Sequence, residues 1–235
     1  MFRNYFKIVF RNAKKHPLYV FINLFGLAIG MAVSIVILLY VRYELSYDNY
    51  HPDVDRIYRV SRAWFNPDGS TSLHLGHTAP PFGPLIQSDF PEDVEFSARL
   101  MNADPLIKSG NNAFVEERFF FADPEVFDVF SWETLEGESK NALTQADGLI
   151  LSESTAKRYF GSENAVGKEL LVEIGGMEFT MQVRGVVKDT PDNSHFHIDF
   201  LASMLPVVQF YGGQDAFMSN YGSNNFSPYI KLAEG

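Results

Sequence analysis

The 235-residue chain contains no cysteine, which excludes disulfide frameworks, zinc–thiolate sites and cysteine nucleophiles together. Compartment stays open on that count, because a large extracytoplasmic domain can fold without disulfides. Acid is missing from the first 16 positions, which carry Arg3, Lys7, Arg11, Lys14 and Lys15 instead. Ionisable side chains other than tyrosine are missing from Leu18 to Val41. No repeat or low-complexity tract occurs. No Ser/His/Asp nucleophile arrangement or carboxylate pair stands out, so the expectation is a non-enzyme with no catalytic residue, no cofactor and no resident metal.

What is present is unevenly placed. Formal net charge is −10, and the first 16 residues contribute +5, which leaves −15 for the rest. So acidic a body repels phosphate backbones, and nucleic acid is not an expected partner. The uncharged run "LYVFINLFGLAIGMAVSIVILLYV" exceeds the roughly 20 apolar residues a bilayer crossing needs, and Pro17 suits a first helical turn. It is too long for a signal peptide's apolar core, and no small-residue cleavage site follows it. The reading is therefore a cytoplasmic basic segment over 1–16, a transmembrane helix over 17–42 and an extracytoplasmic domain over 43–235. The positive-inside rule keeps the N-terminus in the cytoplasm. Phe2, Phe6, Val9, Phe10 and Ala13 share one helical face opposite Arg3, Lys7, Arg11 and Lys14, the pattern of a basic amphipathic helix lying on the inner membrane surface; the alternative is that the basic residues only set topology. Gly26 and Gly30 sit four apart, a spacing that lets a second membrane helix approach closely.

Beyond Arg42 the pattern is mixed α and β. Arg56–Phe65 and Asn112–Asp123 read as one strand each, as does Val94–Met101, although the last two do not alternate cleanly. Phe82, Leu85, Ile86 and Phe90 have helical spacing, and Asp123–Trp132 reads as a short helix or turn. Ser152 caps a helix that Gly161 ends. Alternation on both sides of Gly175-Gly176 predicts a two-residue hairpin.

Three stretches invite a chemical reading. "GSENAVGKE" (161–169) resembles a phosphate loop but spaces its glycines wrongly, puts Glu169 where Ser or Thr should hold magnesium, and precedes a strand. His195 and His197, two apart, could grip one metal from a strand face. Against that, "TPDNSH" also reads as a loop between strands, and "HFHIDF" reads better as a half-exposed strand with Phe196 and Ile198 on its apolar face and His195, His197 and Asp199 solvated. "YELSYDNYH" (43–51) could be a catalytic cluster. Yet Tyr40, Tyr43, Tyr47 and Tyr50 would share one side of a continuing helix, and Glu44 and Asp48 are also four apart. Tyrosines favour the headgroup region, so Tyr43, Glu44, Tyr47 and Asp48 are expected to form a membrane-exit stalk.

The ordered motifs also carry a resemblance. "INLFGLAIGMAVSIVILLYVRYELSYDNYHPDVDRIYRV" (22–60) resembles the opening of MacB/FtsX-like ABC transporter permeases of the form common in Bacteroidota. "TAPPFGPLI", "DFPEDVEFSARL", "FFFADPEVFDVFSW", "LILSESTAKRYFG", "AVGKELLV" and "VRGVVKDTPDNSHFHIDFLASM" follow in the same order, up to Met204. The resemblance implies an α+β chain, one N-terminal membrane helix followed by a mixed α/β MacB-type periplasmic core domain. It further implies an inner-membrane permease that dimerises with a second copy and pairs with a cytoplasmic ATPase, carrying ATP-driven motion outward. Relatives have three later membrane helices, and this sequence stops at Gly235, so it is expected to be a piece of a longer permease or a truncated product. An anchored binding or sensor domain acting alone is the alternative, and an anchored metalloenzyme would depend on His195 and His197. The transported substrate is not legible.

Overall fold

The computed structural model describes residues 2–109 and 112–234. The chain divides into two units, Met1–Tyr47 and Asp48–Gly235. The first consists of two helices, α1 (Phe2–Lys15) and α2 (Pro17–Glu44). α1 has the basic residues Lys14 and Lys15 in its last turn, where they oppose the negative helix end. The side chains of residues 2–6 and 9 lie outside the described set, so the proposed apolar face of α1 is represented only by Phe10 and Ala13. Pro17 opens α2 at its first position, and every side chain of α2 is exposed. It is the one helix among the described residues long and apolar enough to cross a membrane.

The helix stops at Glu44, where Leu45 caps it, and turns follow through Tyr50. The continuous helix expected to align Tyr40, Tyr43, Tyr47 and Tyr50 is therefore absent. Nor does helix resume before Tyr50: Asp48 adopts a left-handed backbone (φ 60°), the one positive φ among the described non-glycine residues. A helix cannot pass through that conformation.

In the second unit, β1 (Ile57–Arg59), β2 (Arg62–Phe65) and β3 (Thr71–Leu75) lead into α3 (Phe82–Asp89). Next come β4 (Val94–Ala103), β5 (Leu106–Ser109), β6 (Asn112–Val115), β7 (Phe119–Ala122) and α4 (Val126–Val129). They are followed by β8 (Thr134–Gly137), α5 (Ser139–Ala142), β9 (Gly148–Ser152) and α6 (Glu153–Phe160). β10 (Glu169–Ile174), β11 (Met177–Val187), β12 (Phe200–Ser203), α7 (Leu205–Phe210), α8 (Gln214–Met218) and β13 (Ser227–Leu232) complete it.

Eleven strands form one mixed sheet in the order β1-β13-β4-β7-β12-β9-β11-β10-β5-β6, with β8 also on β11, while β2 and β3 pair separately. Both faces of the sheet centre are covered. In β9, Leu149 and Leu151 enter one buried cluster and Ile150 the other; in β12, Phe200 and Ala202 enter the first and Leu201 the second. Burial on both faces produces continuous apolar runs, which is why these strands do not alternate polar with apolar.

Two expected strands are each broken in two. Arg56–Phe65 splits after Arg59 because β1 pairs with β13 while β2 leaves to pair with β3. Asn112–Asp123 splits at Glu116, a buried carboxylate that accepts from Tyr159 Oη (2.6 Å) and Arg158 Nη2 (2.9 Å). Other expectations hold. α3, β4 and α4 lie where the spacing puts them, and Ser152 Oγ caps α6 by accepting from Thr155 N–H (3.3 Å). The β10–β11 hairpin pairs Ile174 with Met177 across Gly175 and Gly176, both at positive φ (57° and 82°) as a type I′ turn requires.

Candidate functional site

The first residues of the second unit are tied into it by a dense polar network. Asp48 N–H donates to Asn193 O (2.9 Å), and Asp48 O accepts from His51 N–H (3.0 Å). Its carboxylate accepts from His195 twice, through the backbone N–H (3.0 Å) and Nδ1 (2.8 Å). A non-glycine residue in a sparsely populated backbone region costs about 1–3 kcal/mol and persists only where its surroundings over-determine it. Here four bonds do so.

His195 extends the network to the last strand, because its Nε2 lies 2.9 Å from Tyr229 Oη in β13. A carboxylate only accepts, so Nδ1 carries a proton. Tyr229 can then donate to a neutral ring or accept from a charged one, and the chain of bonds survives either state. Burial pushes the Tyr229 phenol up to about 12, which keeps it neutral.

His51 behaves in the opposite way. It is 2% exposed, with Tyr50, Phe130 and Trp132 around its ring. Its Nδ1 accepts from Ser131 N–H (3.1 Å), a bond that protonation would destroy. Burial lowers its pKa to about 4, against a smaller opposing pull from the Asp48 charge. Asp48, His51, Arg59, Phe130, His195 and Tyr229 are among the residues lining a cavity of about 220 Å³.

A charged clasp lies beside this network. Asp53, just before the short 3₁₀ turn Val54–Arg56, binds Arg56 Nη2 (2.7 Å) and Lys231 Nζ (2.6 Å). Those two cations, Lys231 foremost, hold the Asp53 carboxyl below its usual range. Arg56 also donates to Leu232 O (2.9 Å) and reaches Glu95 (3.2 Å). The first turn of the domain is thus fastened to its last strand, the Arg56–Leu232 bond spanning 176 positions.

The residues singled out in the sequence fall in different places. Tyr43 and Tyr47 stack edge to face at 5.6 Å, and Glu44 is the final residue of α2. Asp48 belongs to the second unit and is the one of the four drawn into the network. Gly26 and Gly30 lie on α2, with open space where a Cβ would point.

His195 and His197 share no strand, for residues 188–199 form a loop. His197 Nδ1 pairs with Thr190 Oγ1 (3.0 Å), so the two histidines serve different partners. The half-exposed strand is equally absent, because Phe196 is drawn against Phe120, Phe130, Trp132 and Tyr229 and takes the loop with it. Among the described residues, no group of three or more His, Asp or Glu could hold a metal ion. The 161–169 stretch is a turn between α6 and β10, with Lys168 paired to Glu163. Sequence reasoning missed His51, His195 and Tyr229 as one constellation. The signal available was the position of His51 at the end of the acidic-aromatic stretch; nothing linear joins it to residues 195 and 229.

Among solved structures, the fold is similar to a domain assigned as a permease protein from Porphyromonas gingivalis, with TM-score 0.64 and 23% identity over 79% of this chain and 76% of that one. It is also similar to the periplasmic region of MacB from Actinobacillus actinomycetemcomitans, with TM-score 0.52 and 15% identity over 76% and 74% of the chains. A third similar structure is the extracellular domain of the noncanonic ABC-type transporter YknZ from Gram-positive bacteria, with TM-score 0.51 and 10% identity over 76% and 85%. Identities this low speak to the fold alone. No curated protein matches the chain. The family model described as the MacB-like periplasmic core domain matches residues 20–235. By that match the chain belongs to the MacB-like periplasmic core domain family of ABC transporter permeases, with one candidate transmembrane helix ahead of a mixed α/β domain.

Proposed function

We propose that this chain is the N-terminal portion of a permease subunit that couples a cytoplasmic ATPase to its extracytoplasmic domain. In this reading α2 is anchored in the bacterial inner membrane with the basic α1 on its cytoplasmic side, and the partners are the ATPase, a second permease copy and the bilayer. Gly26 and Gly30 offer a smooth helix face for the second copy. The catalytic step belongs to the ATPase, and this chain transmits displacement.

The observation that carries the reading is the over-determined attachment of Asp48. A helix end that moves relative to a loosely joined domain dissipates its motion in the joint. Here the residue that follows the Tyr43–Tyr47 pair is bonded to loop 188–199 and, through His195, to the last strand. Displacement of Asp48 is thereby shared with elements far away in sequence.

The test is a flexible Gly-Ser insertion after Tyr47 in the complete transporter with its ATPase. The expected result is loss of ATP-dependent transporter activity, while ATPase binding and the unfolding midpoint of the extracytoplasmic domain stay unchanged. Full activity with the insertion would overturn the coupling role.

A further inference from the structure

At the Gly175-Gly176 tip of the β10–β11 hairpin lies a cavity of about 300 Å³. It is far along β11 from the network described above, since β11 runs 11 residues from Met177 to Val187 before loop 188–199 begins. We propose that this cavity is a binding site for a small, uncharged aromatic molecule.

Three features of the cavity lead there. The walls are aromatic and thioether: Phe121, Phe179, Phe210 and Tyr211 with Met101 and Met177. Aromatic edges and faces and polarisable sulfurs favour a ring over an aliphatic chain of equal area. The site is also pre-built, because β4, β7, the hairpin and α7 all contribute to its wall, and Phe121 and Val207 in that wall are buried. A volume of this size falls at the lower end of small-molecule pockets, which suits one or two fused rings.

The third feature is charge. In a chain of net charge −10, no Asp, Glu, Lys, Arg or His side chain among the described residues lines this cavity. The acids of the hairpin tip, Glu173 and Glu178, are both bound to Lys108 (2.8 and 2.6 Å). A charged ligand would be desolvated with no partner, at a cost of several kcal/mol. Asn225 at the rim provides a single polar point for a hydroxyl or carbonyl. The lip itself is apolar and faces water, for Phe210 stands 68% exposed and Met177 41%. A ring seated between them removes both from water.

The test uses the full chain in lipid nanodiscs with its seven methionines labelled at the methyl carbon, titrated with 2-naphthol. Ring currents then report directly whether a ring sits beside a given methyl. Saturable upfield shifts at Met101 and Met177, with only a linear, partitioning response at Met31 in α2, are expected. Phe210→Asp, at an exposed position that leaves the core intact, is expected to weaken binding roughly tenfold or more, equivalent to about 1.4 kcal/mol. Phe65→Ser, an exposed aromatic on β2, is expected to change nothing. Linear responses at every methionine would overturn the site. Saturation by 1-dodecanol without saturation by 2-naphthol would overturn the aromatic assignment. Shifts at Met101 and Met177 that depend on protein concentration without ligand would overturn it in favour of a second copy.

Discussion

Strand β9 and helix α2 are built from the same kind of residue and solve the same problem in opposite ways. Leu149, Ile150 and Leu151 are fully buried by other parts of the chain, whereas no residue of α2 is buried. Their polar atoms differ in the same manner. Asn23 Nδ2 and Ser34 Oγ in α2 donate to carbonyls four residues back, Tyr19 O (2.9 Å) and Gly30 O (2.8 Å). In the sheet domain, Arg99 of β4 reaches Asp123 across 24 residues, by Nε to Oδ2 (2.7 Å) and Nη2 to Oδ1 (2.9 Å). An element that satisfies itself locally can be placed in any apolar solvent, and a bilayer is one. An element that depends on remote partners folds only with them.

The strongest way to break this contrast is to remove a remote partner. Asp123→Ala leaves the Arg99 guanidinium buried without its counter-charge, and the domain is expected to lose about 3–5 kcal/mol. Ser34→Ala in α2 is expected to leave the same unfolding transition unmoved. Denaturant unfolding followed by the fluorescence of Trp132, which lies in the second buried cluster, measures both. If Asp123→Ala costs nothing, remote satisfaction is not what holds the sheet.

Deleting apolar volume sharpens the same point. Leu149→Ala is expected to cost about 2–5 kcal/mol through lost burial and the cavity left behind. Leu38→Ala in α2 removes the same atoms from an exposed position and is expected to leave the domain's midpoint in place.

His51 tests the interior by pH. Its folded pKa of about 4 lies below the ordinary 6.5, so the unfolded chain binds the proton first. The stability that neutral His51 contributes is complete above about pH 6.5 and is lost as pH falls towards 4, on the order of 3 kcal/mol in all. Stability measured across that window should flatten in His51→Gln relative to the parent. An unchanged slope would show that His51 does not govern it. Least of all, Ser152→Ala removes the α6 cap, and a loss of about 1 kcal/mol is expected, small because only a local bond is at stake.

Legibility followed the same division between local and remote. The span of α2, the Ser152 cap, the Gly175-Gly176 hairpin and α3 were readable because each depends on neighbours within a few residues. The reading failed where a remote partner decided. β1 and β2 separate because β13 takes one and β3 the other, and residues 195–199 are loop because four aromatics from distant elements hold Phe196. Of the candidate site, the acidic-aromatic stretch at residues 43–51 was visible. Its partners, His195 and Tyr229, were not.

By itself, then, the sequence determined the apolar helix, the acidic mixed α/β body behind it and the family motifs. These rest on composition, on short-range periodicity and on residue order, all of which survive without knowledge of the fold. Tertiary structure alone decided that Asp48 turns left-handed into the domain, that His51 packs among aromatic rings, and that His195 bridges Asp48 to Tyr229. Each of those depends on atoms brought together from positions that linear reading cannot pair.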